Sequence, residues 1–186
     1  MFGTRLNLAV PGTYDSFAAW EVPEGIYKMI KGECGSSMAQ SWMGASQIIV
    51  PCVISEHYVI VRIHPGLWQA DLFDPKYHGL DEQSKLMRAD ELQPLLTLFS
   101  RVLESAGYWA TNELALTRKT RPLQIYIPGP EEQFTQKDLY SSGPFACMIV
   151  ERIISGQPSI TWGDTRVNKY RELIAASIFD MGVVDE

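Results

Sequence analysis

The segment that follows Ser142 constrains the fold more than any other part of the chain. Residues 145–154 are all apolar except for the adjacent Glu151 and Arg152. A helix that is apolar nearly all round belongs inside a protein, where other elements cover each of its faces. We therefore expect a buried helix that begins at Ser142, where the serine can act as a cap, and that ends at Gly156.

Several segments upstream of this helix have the composition of β-strands. They are rich in Val, Ile and aromatic residues, and turn-forming pairs such as Pro65-Gly66 separate them. Strands that follow one another so closely pair as antiparallel hairpins. The predicted strands are residues 47–54, 57–64, 67–73 and 123–127.

Other apolar patterns predict helices that flank this sheet. Asp90 has the position of an N-cap for a helix that runs through Ala106 and stops at Gly107. Short helices are predicted around residues 24–31 and 37–43. One buried helix, flanking helices and an antiparallel sheet together make an α+β fold.

The last helix is predicted over residues 165–181. Its apolar residues, Val167 and Ile178 among them, form one stripe, so the helix should pack on the outside of the sheet and its buried helix. A chain of 186 residues is long enough to bury a real core and is most simply a single domain over 1–186.

Composition restricts the partners and the compartment. The net charge of −6 argues against nucleic acid, which calls for a basic face. The longest apolar run, residues 48–54, is broken by Pro51 and is too short to span a bilayer. Residues 1–12 lack the apolar stretch of a secretory signal. We expect an intracellular protein, in the cytosol or nucleus, that binds no membrane.

The cysteines argue against metal and disulfide chemistry. Cys34, Cys52 and Cys147 are odd in number, and none belongs to a CxxC pair. With only three histidines as well, we expect neither a metal nor another cofactor. Cys147 should lie deep in the core as inert packing.

His57 and Asp74 are predicted to face each other across two strands. They lie equally far in sequence from a turn centred on Pro65-Gly66, and directly opposed side chains have Cβ atoms about 4.5–5.5 Å apart. An aspartate in this position fixes the tautomer of an imidazole and stabilises the imidazolium when the base takes up a proton. The alternative is a cross-strand pair without a catalytic task.

Position 142 suits a nucleophile, but not with the residue that stands there. A cysteine at the N-terminus of a helix has a lowered pKa and forms the reactive thiolate near neutral pH. A serine hydroxyl does not ionise there, and a serine before Gly-Pro also serves simply as an N-cap. Gln136, on a polar loop upstream, can aim its amide at a developing oxyanion; the alternative is a solvated loop side chain.

The order of these residues resembles a known family. His57-Tyr58, then Leu72-Phe73-Asp74, then Gln136-x5-Ser142-Gly143 is similar to the pattern of ubiquitin-like-modifier proteases of the Ulp/SENP type. That pattern is His-Trp, a strand, Asp, then Gln-x5-Cys-Gly before a central helix. The clan also includes adenovirus-type proteases and bacterial deubiquitinase effectors. The resemblance covers about residues 47–156 and does not place residues 1–45, which we expect to form a modifier-binding surface.

The resemblance implies roles for individual residues. His57 would be the general base, Asp74 its orienting partner, Gln136 the oxyanion-hole amide, and position 142 the nucleophile. Tyr58, Trp68 and Gly143 would contact the narrow Gly-Gly tail of the modifier. Two departures affect these roles, because Tyr58 stands where the family has Trp and Ser142 stands where it has Cys.

The implied fold is a papain-like, adenain-type core, and the implied activity is that of a thiol isopeptidase acting through a Cys-His-Asp triad. With Ser142 in place, the enzyme should be inactive. A deliberate Cys→Ser exchange is the explanation we favour, with a natural pseudoenzyme or a genuine serine variant as alternatives. The expected partner of this monomer is ubiquitin or a related modifier, ubiquitin being favoured by the acidic balance of the chain. The divergent N-terminal half favours a bacterial or viral effector acting in the host cytosol.

Three rival interpretations stay open. Cys34 could be the nucleophile of a Cys…His…Asp order that uses the same His57 and Asp74. A YopJ-type acetyltransferase has a related base–acid–cysteine logic, although this chain shows no concentrated basic patch. A catalytically dead modifier-binding protein would need no nucleophile and would keep every surface feature.

Overall fold

The computed structural model describes residues 21–33, 41–77, 80–111, 121–128, 134–156 and 164–182. In these ranges the strands form one sheet in the order β1-β2-β3-β4. The first three follow one another through short loops, and neighbouring strands joined so closely must be antiparallel. The strands are β1 (Ile48–Ile54), β2 (His57–His64), β3 (Gln69–Phe73) and β4 (Gln124–Tyr126).

The pairing of β3 with β4 differs from the antiparallel sheet that the sequence predicts. These strands are parallel, with Ala70 opposite Ile125. A parallel pair needs a long crossover, and the helical segment between β3 and β4 provides one. The fold is α+β as predicted, and its sheet is mixed.

Six helices and one short 3-10 turn are described around the sheet. The predicted helix over residues 24–31 is confirmed, whereas the predicted helix over 37–43 falls largely outside the described residues and ends in the 3-10 turn. The helices are α1 (Glu24–Lys31), α2 (Glu82–Glu91), α3 (Gln93–Ser105), α4 (Tyr108–Thr111), α5 (Ser142–Ser155) and α6 (Asp164–Gly182), with the 3-10 turn at Trp42–Gly44.

The predicted start of the long helix at Asp90 is wrong. Asp90 lies inside α2, a helix that the sequence did not reveal because its polar, charged residues form no clear apolar stripe. The long helix α3 has Leu92 in the N-cap position and Pro94 in its first turn, where the missing N–H is tolerated. Its predicted stop is confirmed, since Gly107 adopts the left-handed backbone conformation with φ of 81°.

The described chain clusters into two compact units. Of the described residues, the first unit contains 21–33, 41–48, 62–71, 87–111 and 121–126. The second unit contains 49–61, 72–77, 80–86, 127–128, 134–156 and 164–182. In the first, α1 packs on α3 through Ile26, Ile30, Val102 and Ala106.

Trp68 belongs to the core of the first unit. It is 5% exposed, its ring centroid lies 5.4 Å from that of Trp109, and its Nε1 donates a hydrogen bond of 2.9 Å to the carbonyl oxygen of Arg121. Little of its surface is left for a substrate. The prediction that Trp68 contacts the modifier tail is therefore wrong, and its role is to hold the hydrophobic core.

The second unit is built around α5. Phe145, Met148 and Ile149 are buried there against Ile60 of β2 and Val167 of α6. Two expectations from the sequence about α5 and α6 are corrected by the exposure of their side chains.

First, α5 is not covered all round, because Ile154 is 70% exposed and Cys147 is half-buried rather than deep in the core. Second, α6 packs through Val167 and Tyr170, while Ile178, placed on the same stripe, is 53% exposed. Both helices therefore have apolar side chains that remain exposed to solvent.

Candidate active site

His57 lies at one end of the sheet, where the chain has just turned. It is the first residue of β2 and follows a two-residue hairpin turn in which Ser55 and Glu56 have φ values of 46° and 60°. Two central residues with positive φ form the turn that matches the twist of adjacent strands. The His57 side chain is only 2% exposed.

Asp74 follows the last residue of β3 at the same end of the sheet and has no exposed surface. Its Oδ1 lies 3.0 Å from His57 Nε2 and also accepts a hydrogen bond of 2.8 Å from the backbone N–H of Lys76. A carboxylate only accepts, so Nε2 carries the proton of this pair. The predicted contact between His57 and Asp74 is therefore present in the structure.

The turn between β2 and β3 lies one position later than predicted. It consists of Pro65–Trp68, so its centre is between Gly66 and Leu67. Trp68, with φ of 58°, donates its backbone N–H to the carbonyl oxygen of His64 at 2.9 Å, and its buried indole keeps it in this conformation. The shift does not separate His57 from Asp74, because Asp74 lies beyond the end of the strand and is held by its own turn.

Ser142 is the first residue of α5 and is 8% exposed. The N-cap position belongs to Ser141, which corrects the prediction that Ser142 caps the helix. The next residue, Gly143, faces β2, since a Cβ atom added to it would lie 3.9 Å from Cδ2 of Tyr58. The residues that follow Ser142 and His57 thus lie close together, and Tyr58 is 46% exposed.

The second ring nitrogen of His57 has no hydrogen-bond partner in the part of the chain that the structure describes. Among the described residues no group forms a hydrogen bond with the buried Nδ1, so the Ser142 hydroxyl is not hydrogen-bonded to this nitrogen. With the proton on Nε2, Nδ1 carries a lone pair and can accept a proton from a nucleophile or an incoming group. The pair with Asp74 thus leaves Nδ1 available to accept a proton.

Gln136 is held close to the His57–Asp74 pair, but its amide is already engaged. Its backbone N–H donates to the carbonyl oxygen of Pro75 at 2.8 Å, and its Nε2 donates to the carbonyl oxygen of Asp138 at 2.6 Å. Its Oε1 is buried without a hydrogen-bond partner among the described residues. Its Nε2 also lies 3.5 Å from Asp138 Oδ1, a long contact that is weaker than the bond to the carbonyl oxygen. The oxyanion role of Gln136 stays a prediction.

Asp138 organises the loop before α5, and the sequence analysis missed it. Its Oδ1 accepts hydrogen bonds of 2.7 Å from the backbone N–H groups of both Tyr140 and Ser141, and its Oδ2 accepts one from Ser141 Oγ. Arg171 of α6 donates to the same Oγ at 2.8 Å. The spacing of Asp138 and Ser141 is typical of side-chain-to-backbone turns, and this signal was available in the sequence.

These contacts stabilise the charged form of Asp138. The hydrogen bond from the Ser141 hydroxyl, together with those from the backbone N–H groups of Tyr140 and Ser141 and the nearby positive charge of Arg171, holds the pKa of this carboxyl below its usual value. The loop is therefore fixed by an ionised side chain at neutral pH.

The described cysteines lack the features of nucleophiles. Burial raises the pKa of Cys52 to about 12 and also raises that of Cys147. Cys34, the nucleophile of the rival Cys…His…Asp interpretation, lies outside the described residues. Within the described ranges, no cluster of three His, Cys, Asp or Glu side chains could hold a metal ion, and no helix is long and apolar enough to cross a membrane.

Comparison with known proteins gives a match in structure and not in sequence. No protein-family model and no curated protein matches the chain. Two solved structures of the SUMO protease Ulp1, with the catalytic cysteine oxidised to a sulfenic or a sulfonic acid, are similar to it with a TM-score of 0.51 and 14% identity. Each match covers 82% of this chain, and it spans 58% of the first Ulp1 chain and 59% of the second. The chain thus has the α+β fold of a Ulp1-like cysteine protease, over little more than half the length of Ulp1.

Proposed function

We propose that this chain is a protease of ubiquitin-like modifiers whose site holds serine in place of the nucleophilic cysteine. The observation that carries it is the buried pair of His57 Nε2 and Asp74 Oδ1 at 3.0 Å, with Nδ1 of the same ring unpartnered. Tyr58, the residue after His57, lies near Gly143 at the start of α5, and the fold is shared with a cysteine protease. A buried polar atom without a partner is uncommon in a purely structural role and suits a base that waits for a substrate.

With a thiol at position 142, the residues have the following tasks. His57 accepts the thiol proton at Nδ1, and Asp74 holds the resulting imidazolium by its Nε2–H. The thiolate attacks the carbonyl carbon of the scissile bond, and Gln136 donates to the oxyanion. The imidazolium then protonates the leaving amine, and water hydrolyses the thioester to regenerate the thiol.

Serine at this position removes the first of these steps. An alkoxide is not accessible at neutral pH, and the hydroxyl of Ser142 is not hydrogen-bonded to His57 Nδ1, the acceptor that would activate it. The chain as it stands should therefore bind conjugates and hydrolyse them very slowly. Ser142 is also the observation that favours a second candidate function, a modifier-binding protein without catalytic turnover.

The surface at the site suits a folded modifier with an extended tail. Tyr58 is partly exposed over Gly143 and can cover a narrow peptide of small residues. Leu139 and Tyr140, just before the helix, are 72% and 83% exposed. Apolar side chains in such a position offer contacts to the body of a macromolecular substrate. Among the modifiers we favour ubiquitin over SUMO or the Nedd modifier, on the net charge of −6.

The test uses the Ser142→Cys variant and a panel of ubiquitin, SUMO and Nedd-modifier probes, each with a C-terminal electrophile. We expect covalent labelling by at least one folded probe, and loss of labelling when His57→Ala is added. The native chain should bind the same modifier without forming an adduct. A Ser142→Cys variant that binds a modifier but is never labelled would leave the binding protein as the function.

A further inference from the structure

We propose that Asp138 and Arg171 are positioning residues, which fix the Gln136–Ser142 loop in the geometry that the reaction needs. This role rests on the function proposed above. Neither residue touches the reacting atoms. They act through Gln136 and through Ser141, the residue that precedes the nucleophile position.

Several hydrogen bonds converge on Asp138. Its side chain accepts hydrogen bonds from two backbone N–H groups and from Ser141 Oγ, and its carbonyl oxygen accepts the one from Gln136 Nε2 at 2.6 Å. One residue therefore sets both the orientation of the Gln136 amide and the backbone path into α5. Hydrogen bonds to an ionised acceptor are about twice as strong as neutral ones.

The side chain of Ser141 makes hydrogen bonds that are unusual for an N-cap serine. A serine in the N-cap position normally accepts a hydrogen bond from the first turn of its helix. Here the Ser141 side chain makes no such bond; its Oγ donates to Asp138 and accepts from Arg171 at 2.8 Å. The hydroxyl thus joins the loop to α6 and does not cap α5.

The Ser141 hydroxyl joins two charged residues that are far apart in sequence. Arg171 is separated from Ser141 by 30 residues, and its hydrogen bond to the Ser141 hydroxyl joins α6 to this loop. Asp138 and Arg171 have opposite charges on either side of one hydroxyl, so each holds the other's contact in place. Movement of the loop would displace position 142 relative to His57, and small misplacements of reacting groups can reduce rates by on the order of 100-fold.

The experiment measures the loop and the nucleophile separately. In the native Ser142 chain, hydrogen exchange of the Tyr140 and Ser141 amides should become at least roughly tenfold faster in Asp138→Ala, since both amides lose a charge-assisted bond. Asp81→Ala is the matched control, because Asp81 likewise accepts a backbone N–H, from Ser84 at 2.7 Å, at the start of α2. It should leave the Tyr140 and Ser141 amides unchanged.

The second measurement is made in the Ser142→Cys background. Alkylation of the introduced thiol by iodoacetamide is followed by peptide mass spectrometry over pH 5–9. Its rate should be roughly 10- to 100-fold lower in Asp138→Ala, and the reaction at the low end of this pH range should disappear. Asp138→Asn keeps one acceptor oxygen and should recover part of the rate. Arg171→Ala should have a smaller effect in the same direction, and Lys169→Ala, another exposed basic residue of α6, should have none.

The outcomes separate this role from the proposed function. Unchanged amide exchange at both positions together with an unchanged alkylation profile in Asp138→Ala would overturn the positioning role. A Ser142→Cys thiol with ordinary reactivity, with or without Asp138, would instead refute the protease site, and the amide measurement on the native chain would still decide whether Asp138 holds the loop. Thermal melting of each variant excludes global unfolding as the cause.

Discussion

His57 and Asp74 form a hydrogen-bonded pair in which the ring is 2% exposed and the carboxylate not at all. Burying an ionisable group is unfavourable unless hydrogen bonds compensate, and here Lys76 N–H contributes one of them. The pair is held by local structure on both sides: a tight turn precedes His57, and Asp74 begins the turn that supplies the Lys76 amide. Retaining such a pair in the interior is hard to explain by stability alone.

Removing the carboxylate should reveal both its structural and its chemical contribution. Asp74→Ala leaves a buried imidazole N–H without an acceptor and should reduce the free energy of unfolding by roughly 1–3 kcal/mol. Asp74→Asn should be milder for stability, yet in the Ser142→Cys background it should lower kcat by about 10⁴, because an amide can impose the wrong tautomer. Denaturant unfolding and steady-state kinetics measure the two effects.

Asp90→Ala is the control for this pair, since Asp90 is an exposed carboxylate on α2. Its effect on the free energy of unfolding should stay within about 0.5 kcal/mol. Equal turnover by the Asp74→Asn and parent enzymes would show that Asp74 does not orient the base.

Thiol labelling should distinguish position 142 from the native cysteines. With a pKa of about 12, Cys52 at pH 8 should react on the order of 1,000-fold more slowly than an ordinary thiol, and Cys147 should also be slow. The Ser142→Cys variant should gain one fast-reacting site, measured by peptide mass spectrometry. Fast labelling of Cys52 in the folded native chain would contradict the raised pKa of its thiol.

Local sequence patterns were sufficient to predict several parts of this fold. The first helix and β2 were predicted over the same residues that the structure shows, and Ser142 was correctly expected at the start of a helix. These features depend on turn residues, apolar periodicity and β-branched residues close in sequence. The contact of His57 with Asp74 was also predicted, although from a turn placed one residue too early.

Most of the features that the sequence did not reveal depend on distant contacts. The parallel pairing of β4 with β3 depends on a crossover, and the burial of Trp68 depends on Trp109 and on the carbonyl group of Arg121. The helix α2 was missed because a polar helix shows no period in its apolar residues. The link from Arg171 to Ser141 could not be predicted from local pattern, because the residues that it joins are 30 positions apart.

Tyr58 should contribute to substrate binding through its exposed ring. In the Ser142→Cys background, Tyr58→Ala should raise KM for a modifier conjugate about fivefold. This corresponds to a loss of about 1 kcal/mol of binding free energy, which the ring provides when the substrate partly buries it. Tyr58→Trp should preserve or improve KM. Tyr126→Ala is the matched control, because Tyr126 of β4 has the same 46% exposure and should leave KM unchanged.

The substrate itself can be varied in the same assay. If the tail binds beside Tyr58 and Gly143 as proposed, only small residues should fit there, so a modifier whose penultimate Gly is replaced by Leu should not be cleaved by the Ser142→Cys enzyme. A free peptide that carries the same tail should be cleaved far less efficiently, because it lacks the remote contacts that position the scissile bond. Equal cleavage of the peptide and the whole modifier would point to a general endopeptidase.

Acid should loosen the loop that Asp138 holds. The hydrogen bond from Ser141 Oγ, those from the backbone N–H groups of Tyr140 and Ser141, and the charge of Arg171 lower the pKa of Asp138 from its ordinary 3.8. The unfolded chain therefore binds a proton at this residue at a higher pH than the folded chain does. The resulting stabilisation is present above the ordinary value and is lost as the pH falls through the lowered pKa of the folded state.

Two-dimensional NMR between pH 5 and 2 should show this loss directly. The amide proton signals of Tyr140 and Ser141 should titrate together with an apparent pKa below 3.8, and in Asp138→Asn they should not titrate. The control is Asp81→Asn, in which the carboxyl that accepts from Ser84 N–H is removed and the Tyr140 and Ser141 titration persists. If both amides keep their pH dependence in Asp138→Asn, another carboxyl group must hold the loop, and the acceptor role of Asp138 is wrong.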